Sequence, residues 1–265
     1  MRQLIGLLFG VLLGVALCGC RSIRTVQQPT TPFAHRLVRE QLVLHSDFPL
    51  PERHRLIDEL AAQRELLSEK LHLAATDEPI HVFLFADDAN YYDFLARRFP
   101  GFPSRRAIFV ETDVQLAVYA HWGDHVAEDL RHEVCHGYLH AAVPHLPLWL
   151  DEGLAEYFEV GRGQHGVNRP HVELLHQQHA AGQWQPDLAR LEGLTSAADM
   201  TQQDYAEAWA WVHFLLESGD DKSQLLTDYL ANLQQGVSDR SLSARLAKRL
   251  ASPELALVEH LESLR

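Results

Sequence analysis

Apolar and polar positions change period along the chain, and the changes outline a first half of strands and helices and a second half of helices. Residues 42–44 (LVL) read as a short strand, closed by a turn-forming stretch from Asp47 to Pro51. Between Pro51 and Leu73 the apolar residues Leu56, Ile57, Leu60, Leu67 and Leu71 fall at helical spacing with charges between them, and Pro51 suits the first turn. Residues 80–85 (IHVFLF) are rich in aromatic and β-branched side chains and predict a strand. Asp87 or Asp88 is placed to cap a helix that runs through Tyr92 and Leu95 to Pro100. Residues 107–110 and 114–119 read as two further strands, close enough to pair as a hairpin. A helix from Asp124 cannot run far past Ala142, because Pro144 and Pro147 follow. Residues 148–160 form the next helix, then a Gly- and His-containing loop spans 161–166. The remainder reads as helical, most clearly over 205–216, then over 222–233, 242–250 and 253–264. The expected fold class is α+β: a small N-terminal sheet with helices, a central helix and a helical C-terminal lobe. One domain of residues 36–265 then has an α/β lobe, 36–142, and a helical lobe, 143–265.

The segment before this domain has a different character. Arg2 supplies a positive start, and the apolar run 4–17 is too short and too glycine-rich for a membrane span. Its end, Leu17-Cys18-Gly19-Cys20, resembles a bacterial lipobox. That resemblance implies a signal peptide over 1–19 and a lipid anchor on Cys20. A polar tether with Pro29 and Pro32 spans 20–35, and the location is the bacterial cell envelope, facing the periplasm or exterior. An ordinary secretory signal is the alternative. Cleavage before Cys20 leaves only Cys20 and Cys135, which is no disulfide framework. With 46% hydrophobic residues, stability rests on core burial. The formal charge of −13 argues against a nucleic-acid partner, which needs a basic surface.

Within the central helix stands His132-Glu133-Val134-Cys135-His136, an HExxH pattern. Residues four apart share a helix face, so both imidazoles can reach one cation, while Glu133 can hold a water beside it and take its proton. Cys135 turns away from that face and suits a small buried position. In a chain with 17 His the pattern alone is weak, and a third ligand from another segment is required. His140 continues the row, but two turns of helix separate it from His132 by about 12 Å, too far to share one ion. His145 in the proline turn is a fallback ligand.

Residues 147–157, PLWLDEGLAEY, carry the stronger clue. Following HExxH, they resemble the second helix of the glutamate-ligand HExxH zinc metallopeptidases, the gluzincins, and are most similar to the small bacterial peptidase-MA-like families. The resemblance covers about residues 120–160. It implies a zincin-like fold, one Zn2+ per chain, and Glu152 as the third ligand beside His132 and His136, with Gly153 leaving space beside the metal helix. Glu156, one turn beyond Glu152, is a candidate to accept the outer N–H of a ligand histidine, the alternative being an exposed helical acid. Asp129, one turn before His132, is a weaker candidate for the same role, against a solvated first-turn acid. The resemblance also implies that a downstream helical tyrosine steadies the oxyanion. Tyr205 is the candidate, the alternative being a tyrosine that packs at a helix start. His213 reads as structural, and Trp149, Trp209 and Trp211 as core rather than cleft. One strand of the 107–119 hairpin is expected to offer an edge to an extended peptide.

The expected activity is zinc-dependent peptide-bond hydrolysis, with Glu133 as general base and a peptide or protein as substrate. An endopeptidase is favoured, since the GxMxN motif of related aminopeptidases is absent. The alternative is a non-catalytic envelope lipoprotein that uses the same fold for binding or scaffolding.

Overall fold

The computed structural model describes residues 33–74, 76–102, 104–237 and 241–264, and residues 32–265 cluster as one compact unit. The expected signal peptide, most of the tether and the lipid anchor at Cys20 lie outside the described residues.

Five strands form one mixed sheet in the order β1-β2-β3-β5-β4: β1 (His35–Arg39), β2 (Leu42–Ser46), β3 (Ile80–Phe85), β4 (Ala107–Thr112) and β5 (Gln115–His121). β2, β3 and β5 run parallel, while β1 and β4 close the two edges antiparallel to their neighbours. Alternation sorts the side chains. Ile80, Val82, Leu84, Leu116 and Val118 face α1 (Arg55–Leu71) and α3 (Val126–Ala142), in the main core. Phe85, Ala117, Tyr119 and Ile108 face α2 (Asp88–Arg98), where they join Tyr91 and Phe94. β1 was not foreseen. Phe33, in the expected tether, already packs its ring on Phe83 and Phe85, 5.1 Å from each.

Helix boundaries follow their caps. α2 begins where the Asp87 carboxylate accepts the Asn90 N–H at 2.9 Å. α1 starts later than expected, because His54 rather than Pro51 occupies its N-cap and accepts the Leu56 N–H. α3 ends at Ala142 before Pro144, as the proline rule demands. α4 (Leu148–Phe158) follows, then α5 (Arg169–Ala180), α6 (Leu188–Glu192), a 3-10 turn at Ala197–Asp199, α7 (Gln202–Glu217), α8 (Asp220–Gln234), α9 (Leu242–Ala247) and α10 (Pro253–Glu262). α7 opens with a capping box between Thr201 and Asp204 and is buried from Ala206 to Leu215, as befits the central helix of the second half. Trp149, Trp209 and Trp211 are fully buried core residues. No described helix is long and apolar enough to cross a membrane.

One expectation is corrected by the packing. Gly153 does not face the metal helix; a Cβ there would stand 2.6 Å from the Ala208 carbonyl, so the missing side chain is what lets α4 and α7 touch. The glycine that seats α3 is Gly137, whose Cβ would meet Ile80 of β3 at 2.9 Å. Gln63 of α1 then ties the two site helices together, its amide donating to the carbonyls of Arg131 and Phe158 at 2.9 and 3.4 Å.

Candidate metal centre

α3 presents His132 and His136 toward α4, and α4 presents Glu152 toward them. The two Nε2 atoms lie 3.2 Å apart, and Glu152 Oε2 lies 3.6 Å from one and 3.7 Å from the other. Ligands about 2.0–2.1 Å from a tetrahedral ion stand about 3.3–3.4 Å apart, so this triangle has the dimensions that such an ion requires. Glu152 Oε2 is buried and has no hydrogen-bond partner, a costly state for a carboxylate oxygen unless a cation meets it. The three residues fit a divalent metal on that ground. Among the described residues, two other His/carboxylate groups also bring their ligand atoms within 4.8 Å of one another, His136–His140–Asp151 and His132–Glu156–Glu159. In both, the histidine nitrogens are already engaged by carboxylates, which makes them supports of the first group rather than rivals to it.

Those supports run in antiparallel order along the two helices. His136 donates from Nδ1 to Asp151 Oδ1 at 2.7 Å, which leaves Nε2 as a lone-pair donor. His132 donates from Nδ1 to Glu159 Oε2 at 2.9 Å, with the same effect. His140 bridges outward, donating to Asp151 Oδ2 at 2.9 Å and to Glu111 Oε2 of β4 at 2.6 Å. Burial works against charge on His140, yet its bonds to Asp151 and then Glu111 push its pKa up to about 9, and the same imidazoles hold Asp151 well below the ordinary range despite burial. Without an ion, burial also disfavours charge on His132, but the neighbouring carboxylates of Glu152 and Glu159 outweigh it and lift its pKa well above 6.5.

The carboxylate on His132 is therefore Glu159, where the sequence points to Glu156. Glu156 turns instead to the start of α5, accepting from His171 Nε2 at 2.8 Å and from Asn168 Nδ2 at 3.3 Å. Asn168 also donates to Glu159 at 3.0 Å, so one amide links the two carboxylates that lie beside His132. Asp129 does not reach His132 either. It receives the forked guanidinium of Arg106, with bonds of 3.0, 3.0 and 2.7 Å, and pins the chain before β4 to α3. Asp151 and Glu159 escape sequence reasoning, which sets His140 aside as too distant to share an ion with His132, although the Asp-Glu pair at 151–152 is a signal in retrospect. Cys135 is buried and free, His145 is exposed in its turn, and His213 pairs with His260 at 2.8 Å, away from the centre.

Glu133 is nearly buried, and that burial pushes its carboxyl above the ordinary value, with His132 and His136 pulling part of the way back. It lines a cleft of about 460 Å³ with His136, Asp151 and Glu152; Phe102, Arg105 and Phe109 line it from one side and residues 196–198 from the other. β4 is the edge strand beside α3, and the Phe109 ring lies parallel to that of His136 at 5.9 Å. Tyr205, at the start of α7, accepts a hydrogen bond from Arg105 at 3.1 Å, and the Glu152 charge raises its pKa together with the larger effect of burial. A separate cleft of about 400 Å³ between α1 and residues 161–166 holds none of the three candidate ligands.

No curated protein matches the chain. One family model does, described as "Protein of unknown function (DUF1570)"; it covers residues 128–235, which take in most of α3 with both histidines and the helices from α4 through α8.

Proposed function

We propose that the protein is a zinc-dependent hydrolase of peptide bonds, of zincin-like fold and similar to the glutamate-ligand metallopeptidases, lipid-anchored through Cys20 in the bacterial cell envelope. The observation that carries the reading is the triangle of His132, His136 and Glu152 with Glu133 in the cleft that opens onto it. Zinc held by those three residues would supply Lewis acidity, lowering the pKa of water and polarising a carbonyl. Glu133, in a buried setting that favours proton uptake, accepts the proton of the attacking water and hands it to the departing amine. Asp151 and Glu159 fix the tautomers of the two histidines. Tyr205 accepts from Arg105 with its oxygen, which leaves its O–H to donate to the developing oxyanion. The edge of β4 offers backbone groups to an extended peptide, which suits an endopeptidase.

A purified sample is expected to contain one zinc per chain and to cut a peptide library in a chelator-sensitive way. Glu133→Gln should keep the zinc and lose cleavage by about 10²–10⁴-fold. Stoichiometric zinc with unchanged cleavage in that variant would remove Glu133 as the base. Absence of both zinc and chelator-sensitive cuts would favour a scaffolding lipoprotein.

A further inference from the structure

Among the described residues, Arg105 is the one lysine or arginine that lines the cleft, which it shares with three acids, Glu133, Asp151 and Glu152. Its situation differs from that of its neighbours. Arg106, Arg131 and Arg190 each reach a carboxylate, while Arg105 has no carboxylate partner among the described residues, in a chain of formal charge −13. It donates to the Tyr205 hydroxyl, a neutral acceptor that uses one of five guanidinium N–H groups. Arg106, next along the chain, is clamped to Asp129 of α3, which anchors the backbone that carries Arg105.

We infer that Arg105 is a specificity-determining residue that binds a carboxylate carried by the peptide substrate, an inference that rests on the hydrolase reading above. Chemistry favours a carboxylate over a peptide carbonyl. A planar guanidinium with a free edge matches two carboxylate oxygens, and the pair is shielded from water once a ligand covers the mouth. Electrostatics gives the residue a reason to exist. An anionic ligand approaching Glu133, Asp151 and Glu152 meets repulsion that a fixed cation offsets. Beside Arg105 the wall is apolar, with Phe102, Ile108 and Phe109, so the carboxylate is read together with a hydrophobic neighbour. Two sources of the group share this chemistry, the C-terminal α-carboxylate and an acidic side chain within the peptide.

The test uses zinc-loaded Glu133→Gln protein, so that nothing is cleaved, and measures binding by calorimetry. Matched peptides of five residues with an apolar C-terminal residue are compared as free acid and amide, and a second amidated pair carries an internal Glu or Gln. Arg105 recognition predicts at least about tenfold tighter binding of one acidic member over its neutral partner, and collapse of that ratio to about one in Arg105→Gln. Partial retention is expected in Arg105→Lys, which keeps the charge and loses the fork. The free-acid pair responding assigns a terminal carboxylate; the Glu/Gln pair responding assigns a side chain. Equal binding within both pairs, a preference that survives Arg105→Gln, or no binding of any peptide overturns the proposal. Cleavage of the library by wild-type protein is scored separately, so chelator-sensitive cuts together with no carboxylate preference in the Arg105 parent, or a preference that survives Arg105→Gln, reject Arg105's role and leave the hydrolase reading standing.

Discussion

At the scale of single residues, the candidate centre depends on which acid meets which ring. His132 and His136 expose Nε2 to each other because Glu159 and Asp151 hold the opposite nitrogens. Glu159→Gln is therefore expected to weaken zinc binding by about 10–100-fold, read by competition with a chromophoric chelator. Glu156→Gln should weaken it less, since Glu156 bonds to His171 and Asn168 rather than to either ligand histidine. The HExxH pair and Glu152 were legible because one helix period and one short motif hold them. Glu159 and His140 were not, because their roles come from the antiparallel register of α3 and α4: two turns back along one helix match two turns on along the other. Arg105 was invisible for a different reason. A loop residue has no period, and only the fold brings it across from Tyr205.

At the scale of elements, strands β2 to β5 and most helices announce themselves by alternation, spacing or caps. β1 does not, because an edge strand such as HRLVR has no fully buried face to impose a pattern. α5 hides behind polar residues and buries only His171, Val172 and Leu175. The contact that matters most for the centre is α4 on α7, set by Gly153. Gly153→Ala puts a methyl group where the Ala208 carbonyl lies, and backbone cannot yield as a flexible side chain would. We expect a loss of about 2–4 kcal/mol in urea unfolding, accompanied by weaker zinc binding. Gly137→Ala meets the branched side chain of Ile80 instead, which can shift, and should cost less than Gly153→Ala.

At the scale of the whole molecule, a histidine pair outside the candidate centre contributes to the acid limb of stability. His213 lies between Trp209 and Tyr157 and pairs with His260; burial first, then the His260 charge, holds its pKa down at about 4. The unfolded chain takes up that proton near pH 6.5, whereas the folded chain resists until about pH 4. Stability from this group is complete above pH 6.5 and falls as the pH drops toward 4, by up to about 3 kcal/mol. Urea unfolding at pH 7 and pH 4.5 should show a smaller loss in His213→Gln than in the parent, even if the variant starts less stable. An equal loss in both would place the acid sensitivity elsewhere.

Asp151, Glu152 and Glu159 belong to α4 or its end, and α4 is also the helix that α7 grips through Gly153. A cation shared by α3 and α4 is thus a removable crosslink between the sheet half and the helical half. At a free concentration a hundred times its dissociation constant, such an ion adds about 2.7 kcal/mol to the folded state. On the proposed reading, metal supply would then set the lifetime of the molecule as well as its chemistry. A chain stripped of its ion should become nickable by added protease, first in the connections that flank α4, at residues 143–147 and 161–166, and restored metal should close both sites together.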